Sequence, residues 1–411
     1  MLAANVRMVG AVSGGHGRIA HGGLTPVTSF LTLALSLAMA ACEVGAVPDS
    51  GQCVLSPPLV CSKLTPVQKD HRPRVIFDTD AQFHGDPTTA RTREQGAVGD
   101  QYALIYLLLR SDALQLLGVT TANANGGSIE DQVSEVRRVA TLCGEAAVPI
   151  KRGAVGTYAE LQGQLASASF DGVEAVNFII AAARVSSPID PLVVLLGTKA
   201  TNLALALAKE PSIAPNLAVY WTATDQPGAA EQTNLLPAVR PGGSGMYNIL
   251  KDPEAANYLF AAPVVLHLMQ LWDVRPTPST QPRFAAGVAG LGIKDGADLA
   301  CTGPRVAPVT FPGGSSYDTA GAYAGAIYAT FSGNGWRSID EASLAVLLAH
   351  PEWAQLRLMA APSYDPVTRA MSYPASGPHQ VYLYDAIEGT AIGASFVETL
   401  REPFITCELA K

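Results

Sequence analysis

One stretch of the chain restricts the fold more than any other, because it joins a strand, three acids and a helix. Residues 75–77 form a short apolar run that predicts a buried strand. Asp78 and Asp80 follow this run, and Asp100 precedes an apolar segment of helical length at 101–109. Open α/β sheets bind ligands where their parallel strands end. We therefore expect a site here, where a cation, a shared proton or a sugar offsets the repulsion between the carboxylates.

Strand and helix patterns alternate along the rest of the chain. Strands are predicted at 114–121, 148–150, 192–196, 217–221 and 262–269, and helices at 129–142, 173–185, 203–209, 320–330 and 341–350. Ser128 and Asp131 predict a capping box for the helix at 129–142. The alternation predicts an α/β fold, with a mainly parallel open sheet and helices on both faces, in one large domain at 73–411. Late alternating segments such as 380–384 are expected to be edge strands.

The charge of the chain argues against one class of partner. The 411 residues carry a net charge of −8, and no run of lysine and arginine is long enough to form a basic stripe. A surface that binds nucleic acid has such a stripe. We therefore expect no nucleic-acid partner.

The first 41 residues have the pattern of an export signal. Two arginines precede an apolar stretch at 30–41, which is short for a bilayer span and typical of a secretory signal. Small residues directly before Cys42 resemble a bacterial lipobox, which implies cleavage there and a lipid on the thiol; an ordinary signal peptide is the alternative. The segment 42–72, rich in Pro, Ser and Gly, predicts a tether. We expect a protein of the bacterial cell envelope, lipid-anchored or periplasmic, that meets the membrane only through Cys42.

Cysteine spacing leaves the disulfide pattern open. Cys53 and Cys61 flank a short loop, and Cys301 and Cys407 lie in late loop-like segments, so both pairs are candidates in an exported chain. Cys143 follows a helical stretch and is expected to be a small buried residue.

Five motifs occur in an order that resembles one enzyme family. They are VIFDTD with GDQYALIYLLL, LLGVTTANAN, LVVLLGTKATNLALAL, MYNILKDPEAANYLF and SIDEASLAVLLAHP. Together they span about residues 75–350 and resemble the nucleoside hydrolases, the inosine-uridine-preferring N-ribohydrolases, of which this chain would be a divergent member. The resemblance implies hydrolysis of the N-glycosidic bond of a ribonucleoside or related N-riboside, giving ribose and free base.

The resemblance also implies a Ca²⁺ ion. Calcium takes oxygen ligands from carboxylates, backbone carbonyls and water. By this resemblance Asp80 binds Ca²⁺ and acts as the general base, while Asp100 and Asp340 are further ligands. A backbone carbonyl of Gly197 or its neighbour Leu196 is the remaining ligand from the protein.

Three more polar residues are assigned to the substrate side of the site. Asn125 and Asn248 match asparagines that hydrogen-bond the ribose, although Asn123 competes with Asn125 for that role. Asp78 is the first acid of the motif and is expected to brace the loop or to cap the following helix. The family further implies a small-molecule partner, a nucleoside or similar glycoside, and a homodimer or homotetramer.

The sequence departs from the family pattern at four places. Gly99 stands where the family has a second acid beside Asp100, so one partner for a ribose hydroxyl is missing. An insertion at 81–97 lengthens the first active-site loop. Met246 replaces a glutamate, and Ile339 replaces a leaving-group histidine of many members. Base preference and the leaving-group acid therefore stay unassigned.

Two other functions match parts of the sequence. A strand that ends in Asp-x-Asp resembles the haloacid-dehalogenase phosphatases, in which the first Asp is a nucleophile, but Gln82 and Phe83 do not match the residues expected after the second Asp. A lipoprotein that binds a sugar or nucleoside without cleaving it would keep the same pocket. Gly99, Met246 and Ile339 favour that second interpretation.

Overall fold

The computed structural model describes residues 72–81, 98–124, 128–224, 247–270, 304–332 and 340–401. The chain divides into two units, Met1–Pro66 and Val67–Lys411, and all of the described residues lie in the second. The main-sheet strands are β1 (Arg74–Thr79), β2 (Gln115–Thr121), β3 (Ile150–Lys151), β4 (Leu192–Leu196), β5 (Leu217–Thr224), β6 (Val265–Gln270), β9 (Ala354–Ala360) and β12 (Gln380–Ile387). Two small hairpins are formed by β7 (Val309–Thr310) with β8 (Ser316–Tyr317), and by β10 (Ser363–Asp365) with β11 (Ala370–Ser372).

Ten α-helices accompany these strands in the described part of the chain. They are α1 (Val98–Leu109), α2 (Ile129–Leu142), α3 (Tyr158–Leu161), α4 (Val173–Arg184), α5 (Thr201–Lys209), α6 (Tyr247–Leu250), α7 (Pro253–Ala261), α8 (Ala320–Ser332), α9 (Asp340–Ala349) and α10 (Gly389–Arg401). None of these helices has the length and the apolar character that a membrane crossing requires.

The main sheet has eight strands in the order β3-β2-β1-β4-β5-β6-β12-β9. Every neighbouring pair is parallel except β12 and β9, which are antiparallel. The predicted mainly parallel open sheet is therefore confirmed. From β1 the chain moves to β2 and β3 on one side and then crosses to β4 on the other, which creates a topological switch point at β1.

Apolar side chains cover both faces of the sheet, as buried parallel strands require. On β1, Val75 and Phe77 belong to one core cluster and Ile76 to the other. The first cluster includes buried residues of α1, α2, α8, α9 and α10, and the second includes those of α4, α5 and α7. Helices therefore pack on both faces of the sheet.

Short-range signals account for several helix boundaries. Ser128 caps α2 and forms the predicted capping box with Asp131, since each side chain accepts a hydrogen bond from the other residue's backbone N–H. Asp252 caps α7 and accepts from the backbone N–H of Ala255, while Pro253 occupies the first helical position. Cys143 is a buried free thiol, as expected, and burial raises its pKa well above the usual range.

The expectation of an edge strand at 380–384 is wrong. β12 lies between β6 and β9, and the edge of the sheet is β9. Val381 and Leu383 of β12 enter one core cluster and Tyr384 enters the other, while Tyr382 is 38% exposed. The side chains at 381–383 do alternate between buried and exposed, but such alternation does not specify whether a further strand pairs beyond this one. The helix α10 that follows was not predicted at all.

A buried polar cluster lies between α1, α2 and α8. Glu135 accepts hydrogen bonds from the hydroxyl of Tyr323 and from the guanidinium of Arg138. Burial raises the pKa of Glu135 to about 7, although both of these partners act in the opposite direction. This acid is therefore sensitive to pH near neutrality.

Candidate active site

The predicted acids meet where β1 ends, at the switch point of the sheet. Asp78, Thr79 and Asp80 are all buried, and β2 and β4 flank them on either side. Asp100 stands in the first turn of α1 and is also fully buried. β1 and α1 are consecutive elements, and the carboxyl end of the sheet faces the start of the helix, so these groups come together.

Asp78 braces the ends of the neighbouring elements. Its Oδ1 accepts hydrogen bonds from the hydroxyl of Thr120 at 2.7 Å and from the side-chain amide of Asn202 at 2.9 Å. Burial raises the pKa of Asp78 to about 6, while these two bonds and the charge of Lys199 act against that rise. Its other oxygen, Oδ2, has no hydrogen-bond partner. The bracing role expected for Asp78 matches these contacts, and a contact with substrate stays a prediction.

Asn202 holds three loops together at this end of the sheet. Besides Asp78, its Nδ2 donates to the carbonyl of Thr121 at 2.9 Å, and its Oδ1 accepts from the backbone N–H of Ala154 at 2.9 Å. A Cβ on Gly153 would lie 1.7 Å from the Thr121 oxygen, so the chain can approach this closely only at a glycine. Sequence reasoning missed Asn202, although a buried amide opening an apolar helix was a usable signal.

A buried lysine supports the same loop. Lys199 is 2% exposed, and its Nζ donates to the carbonyls of Val155 at 3.0 Å and Gly156 at 2.7 Å. Burial lowers the pKa of Lys199, and the nearby carboxylates of Asp252, Asp171 and others oppose that change. Lys199 therefore places positive charge behind Asp78, a role that sequence reasoning did not foresee.

Asp80 and Asp100 form the central acid pair. Burial raises the pKa of Asp80 to about 6. The pKa of Asp100 lies well above its usual range, first because of burial and then because of the negative charges of Asp80 and Glu341. Oδ2 of Asp80 and both carboxyl oxygens of Asp100 are buried without a hydrogen-bond partner. Two such acids can both ionise at low cost only when a cation lies between them. Without a cation they share a proton.

Gly197 makes room for this pair. A Cβ at this position would lie 1.9 Å from Oδ1 of Asp100, so any side chain would displace the carboxyl group. The backbone N–H of Gly197 donates to the carbonyl of Asp78 at 2.8 Å, which extends the pairing of β4 with β1. The structure thus places Gly197 beside Asp100, and the role of its carbonyl as a metal ligand stays a prediction.

Glu341, Thr222 and Asn248 form a polar chain on the far side of Asp100. The hydroxyl of Thr222 donates to Oε1 of Glu341 at 3.0 Å. The side-chain amide of Asn248 donates to the carbonyl of Thr222 at 3.1 Å and contacts its hydroxyl at 3.3 Å. All three side chains are buried. Asn248 was predicted to bind ribose. Thr222 was missed because it lies outside the five motifs, and Glu341 was missed although it follows Asp340 within the last of them.

Several predicted site residues, or their side chains, lie outside the part of the chain that the structure describes. Asn125 and the part of the insertion from 82 to 97 lie outside the described residues, as do Met246 and Ile339. Asp340 is the first residue of α9, but its side chain is not among those described.

Trp221 belongs to the core. It is fully buried, its indole Nε1 donates to the carbonyl of Thr198 at 2.9 Å, and its ring packs on Phe260. Trp336 and Tyr247 are two further aromatic residues that could stack on a base, and their side chains lie outside the described residues.

The acid pair has the oxygen ligands that a hard cation prefers. Among the described side chains, no three His, Cys, Asp or Glu residues form a group that could hold a metal ion. Asp80 and Asp100 nevertheless offer three buried oxygens that lack any partner. Ca²⁺ accepts such carboxylates together with backbone carbonyls and water, so the residues present fit this ion as part of its ligand set.

Solved structures of nucleoside hydrolases share this fold. A plant nucleoside hydrolase is 14% identical with a TM-score of 0.52, over 80% of this chain and 98% of that chain. The inosine-uridine preferring nucleoside hydrolase from Bacillus anthracis is 15% identical with a TM-score of 0.50, over 79% and 99%. A purine-preferring ribonucleoside hydrolase from Gardnerella vaginalis is 17% identical with a TM-score of 0.50, over 80% and 98%. The fold is therefore that of the nucleoside hydrolases.

Most of the chain matches one enzyme family in sequence. Residues 75–394 match the family of inosine-uridine preferring nucleoside hydrolases, and this chain belongs to that family of N-glycosyl hydrolases. No curated protein sequence matches it. Membership places the Asp-x-Asp motif in a nucleoside hydrolase and leaves the phosphatase interpretation without support.

Proposed function

We propose that this protein hydrolyses the N-glycosidic bond of a ribonucleoside or related N-riboside in a calcium-dependent reaction, giving ribose and free base. The observation that carries the proposal is the buried pair Asp80 and Asp100, whose oxygens lack partners at the switch point of the sheet. Buried acids without partners are costly for stability, and such groups concentrate at functional sites.

Calcium fits this pair, and the chain offers further ligands for it. Asp80, Asp100 and the predicted Asp340 and Gly197 carbonyl would hold the ion. When bound, Ca²⁺ offsets the negative charge of the acids and provides positions for sugar hydroxyls and a water.

Asp80 is the group best suited to move a proton. Its Oδ2 is buried without a partner, and burial raises its pKa to about 6, which is closer to neutrality than an ordinary aspartate. Ca²⁺ beside this carboxylate would keep it ionised, so that it could accept a proton from a water held at the ion. The water then attacks the anomeric carbon, and the carboxylates stabilise the positive charge that builds up on the sugar ring.

Asp78, Asn202 and Lys199 keep Asp80 in place rather than react. Asp78 is tied to Thr120 and Asn202, so β1 ends at a fixed position relative to β2 and α5. Packing around the pair also keeps bulk water away, since all of the acids on β1 and α1 are buried. Low exposure strengthens every charge interaction in the site.

Ribose release from a panel of nucleosides tests the proposal. We expect the wild-type protein with Ca²⁺ to release ribose, and Asp80→Asn to lower kcat by about 10²- to 10⁴-fold, as for loss of a general base. Glu135→Gln, which removes a buried acid elsewhere, is the control and is expected to keep wild-type activity. Binding of nucleosides without any release would contradict hydrolysis and favour the sugar-binding lipoprotein.

Export and lipid attachment belong to the same proposal. The signal pattern at 1–41 and Cys42 supports a mature chain that begins at a lipidated Cys42 and works in the cell envelope. We expect Cys42→Ser to abolish labelling by a fatty-acid probe and to leave ribose release intact. Labelling that persists in this variant would contradict the lipid anchor at Cys42.

A further inference from the structure

The edge of the main sheet formed by β9 is long and open to a further strand. β9 is the last strand in the sheet order, and among the described strands it pairs only with β12. It has seven residues, whereas β3, at the opposite edge, has two. Folded proteins usually keep edge strands short or covered, because an edge offers a row of backbone groups to another chain. The edge of β9 is therefore a candidate binding surface.

The hydrogen-bond register shows which backbone groups of β9 point outward. The N–H of Ala361, the residue after β9, donates to the carbonyl of His379 at 2.9 Å and continues the register between β9 and β12. Bonded and non-bonded pairs alternate along an antiparallel ladder, so the odd-numbered residues of β9 bond β12. The N–H and C=O groups of Leu356 and Leu358 consequently point away from β12. No described residue supplies a partner for these outward groups.

Apolar side chains accompany this open ladder. Leu356 is 44% exposed and Leu358 is 51% exposed, and the strand pleat places both on one face of the sheet. Tyr382, opposite Leu358 on β12, is 38% exposed on that same face. The one charged residue of β9, Arg357, lies on the other face. Exposed leucines beside outward backbone groups favour the binding of another strand, whereas charged edges prevent it.

A second copy of β9 matches this edge in length and in hydrogen-bonding pattern. The other edge strand, β3, is too short to do so. Two copies of β9 that pair antiparallel about a twofold axis form a closed contact, because each edge satisfies the other and none is left open. Registers centred on Leu356 or on Leu358 bring the outward groups of the two copies together. A register centred on Arg357 would place like charges opposite each other, which is unfavourable.

We propose that two copies of this protein pair through β9 and form a dimer with one continuous sheet. The twofold axis is then perpendicular to the sheet, so the leucines of both copies lie on the same face. The strands of the two copies run in opposite directions, which places the two acid sites at opposite ends of the joined sheet. The family resemblance implies an oligomer without naming its surface, and the backbone geometry of β9 assigns one. This inference does not depend on the proposed reaction.

Sedimentation of charge variants tests the contact. Leu356→Lys and Leu358→Lys each place a lysine at the edge, where it meets apolar or positively charged side chains of the second copy. We expect a wild-type dimer and a dissociation constant at least about tenfold higher in each variant. Val367→Lys is the matched control, since Val367 is 89% exposed but lies in the turn between β10 and β11. It should associate like the wild type. All four proteins carry Cys42→Ser, so that no lipid there can cause association.

Hydrogen exchange provides a second test that needs no substitution at the edge. In the dimer the N–H groups of Leu356 and Leu358 bond the second copy, so they should exchange more slowly as the protein concentration rises. The N–H of Met359 bonds β12 in monomer and dimer alike, so its exchange should not depend on concentration. Circular dichroism of the lysine variants should match the wild type, because both side chains are already partly in solvent.

Three results would overturn the inference. The first is a wild type that sediments as a monomer at every concentration. The second is a dimer whose strength is unchanged in both edge variants, or equally reduced in Val367→Lys, because the contact then lies elsewhere. The third is exchange at Leu356 and Leu358 that does not change with concentration, because no strand then pairs with β9. Each of these results leaves the proposed function standing, since ribose release is measured separately.

Discussion

At Gly197, the absence of a side chain leaves space for the carboxyl group of Asp100. A Cβ on this residue would lie 1.9 Å from Oδ1 of Asp100 and 3.1 Å from the ring of Phe77. The ring belongs to the packed core of β1, so it has little freedom to move away. The position of one acid in the site thus depends on a glycine in the neighbouring strand connection.

We expect Gly197→Ala to displace Asp100 and to damage both stability and turnover. The free energy of unfolding should fall by about 1–3 kcal/mol, as for overpacking of a core. Ribose release should fall by roughly 10²-fold, as for a misplaced reactive group. Chemical denaturation and initial rates measure the two effects. Gly163→Ala is the matched control, since a Cβ there meets nothing within 4 Å. Wild-type stability and rate in Gly197→Ala would refute this explanation.

Some site residues were predictable from local sequence and others were not. Asp80 and Asp100 follow from a strand–acid–helix pattern within a short stretch, because consecutive elements of an α/β sheet deliver their ends to one edge. Glu341 depends on a hydrogen bond from Thr222, which is 119 residues away in the chain. Its orientation is set by the packing of α9 against α1 and the sheet, and no local pattern encodes that packing.

Two residues at the start of α5 form several of the hydrogen bonds that join this helix to other elements of the site. The predicted helix began at residue 203, but the structure begins α5 at Thr201. Thr201 donates to Asp252, and Asn202 bonds Asp78, Thr121 and Ala154. These two polar residues resemble a loop when read locally, because their partners lie in other elements. By contrast β4 and α2 have the predicted bounds, since their signals are local.

Asn202→Ala should destabilise the protein by removing the hydrogen bonds that join the loops at this end of the sheet. It removes a donor from Asp78 and leaves the Ala154 N–H and the Thr121 carbonyl buried without this partner. Each buried polar group left unpaired costs about 1–3 kcal/mol. We expect a comparable fall in the free energy of unfolding, measured by chemical denaturation.

The control for this prediction is a second asparagine on a neighbouring helix. Asn177 of α4 is exposed and accepts one hydrogen bond, from Lys209. Asn177→Ala should change stability by no more than about 0.5 kcal/mol, as surface substitutions do. An equal fall in the free energy of unfolding in Asn177→Ala and Asn202→Ala would contradict a stabilising role for the loop contacts of Asn202.

For the molecule as a whole, the order of the strands was only partly accessible from the sequence. The mainly parallel sheet with helices on both faces follows from alternating strand and helix patterns. The insertion of β12 between β6 and β9 does not, because a parallel neighbour can come from any distance along the chain. The alternating pattern of β12 indicates which of its side chains are buried and does not specify which strands are its neighbours.

The stability of the whole molecule should respond to pH through Glu135. Its pKa is about 7 in the folded protein against 4.5 as the ordinary value, so the folded state holds the proton more tightly. The stability that this proton contributes is fully present below pH 4.5 and is lost as the pH rises through about 7. The slope can reach about 1.4 kcal/mol per pH unit in that window.

Glu135→Gln has no proton to lose at this position and should show a flatter dependence over the same window. Urea unfolding of both proteins at a series of pH values measures the difference, and the comparison cancels the contributions of Asp78 and Asp80. If the stabilities of the two proteins changed with pH in parallel, the result would contradict a raised pKa for Glu135.

Calcium titration of the mature protein by calorimetry would show whether Asp80 and Asp100 form a cation-dependent hydrolytic centre. We would compare the wild type with Asp100→Asn and assay ribose release on the same samples before and after chelation. We expect calcium binding and ribose release in the wild type, loss of release on chelation, and loss of both in Asp100→Asn. Calcium binding of equal strength in Asp100→Asn, or ribose release that survives chelation, would contradict such a centre.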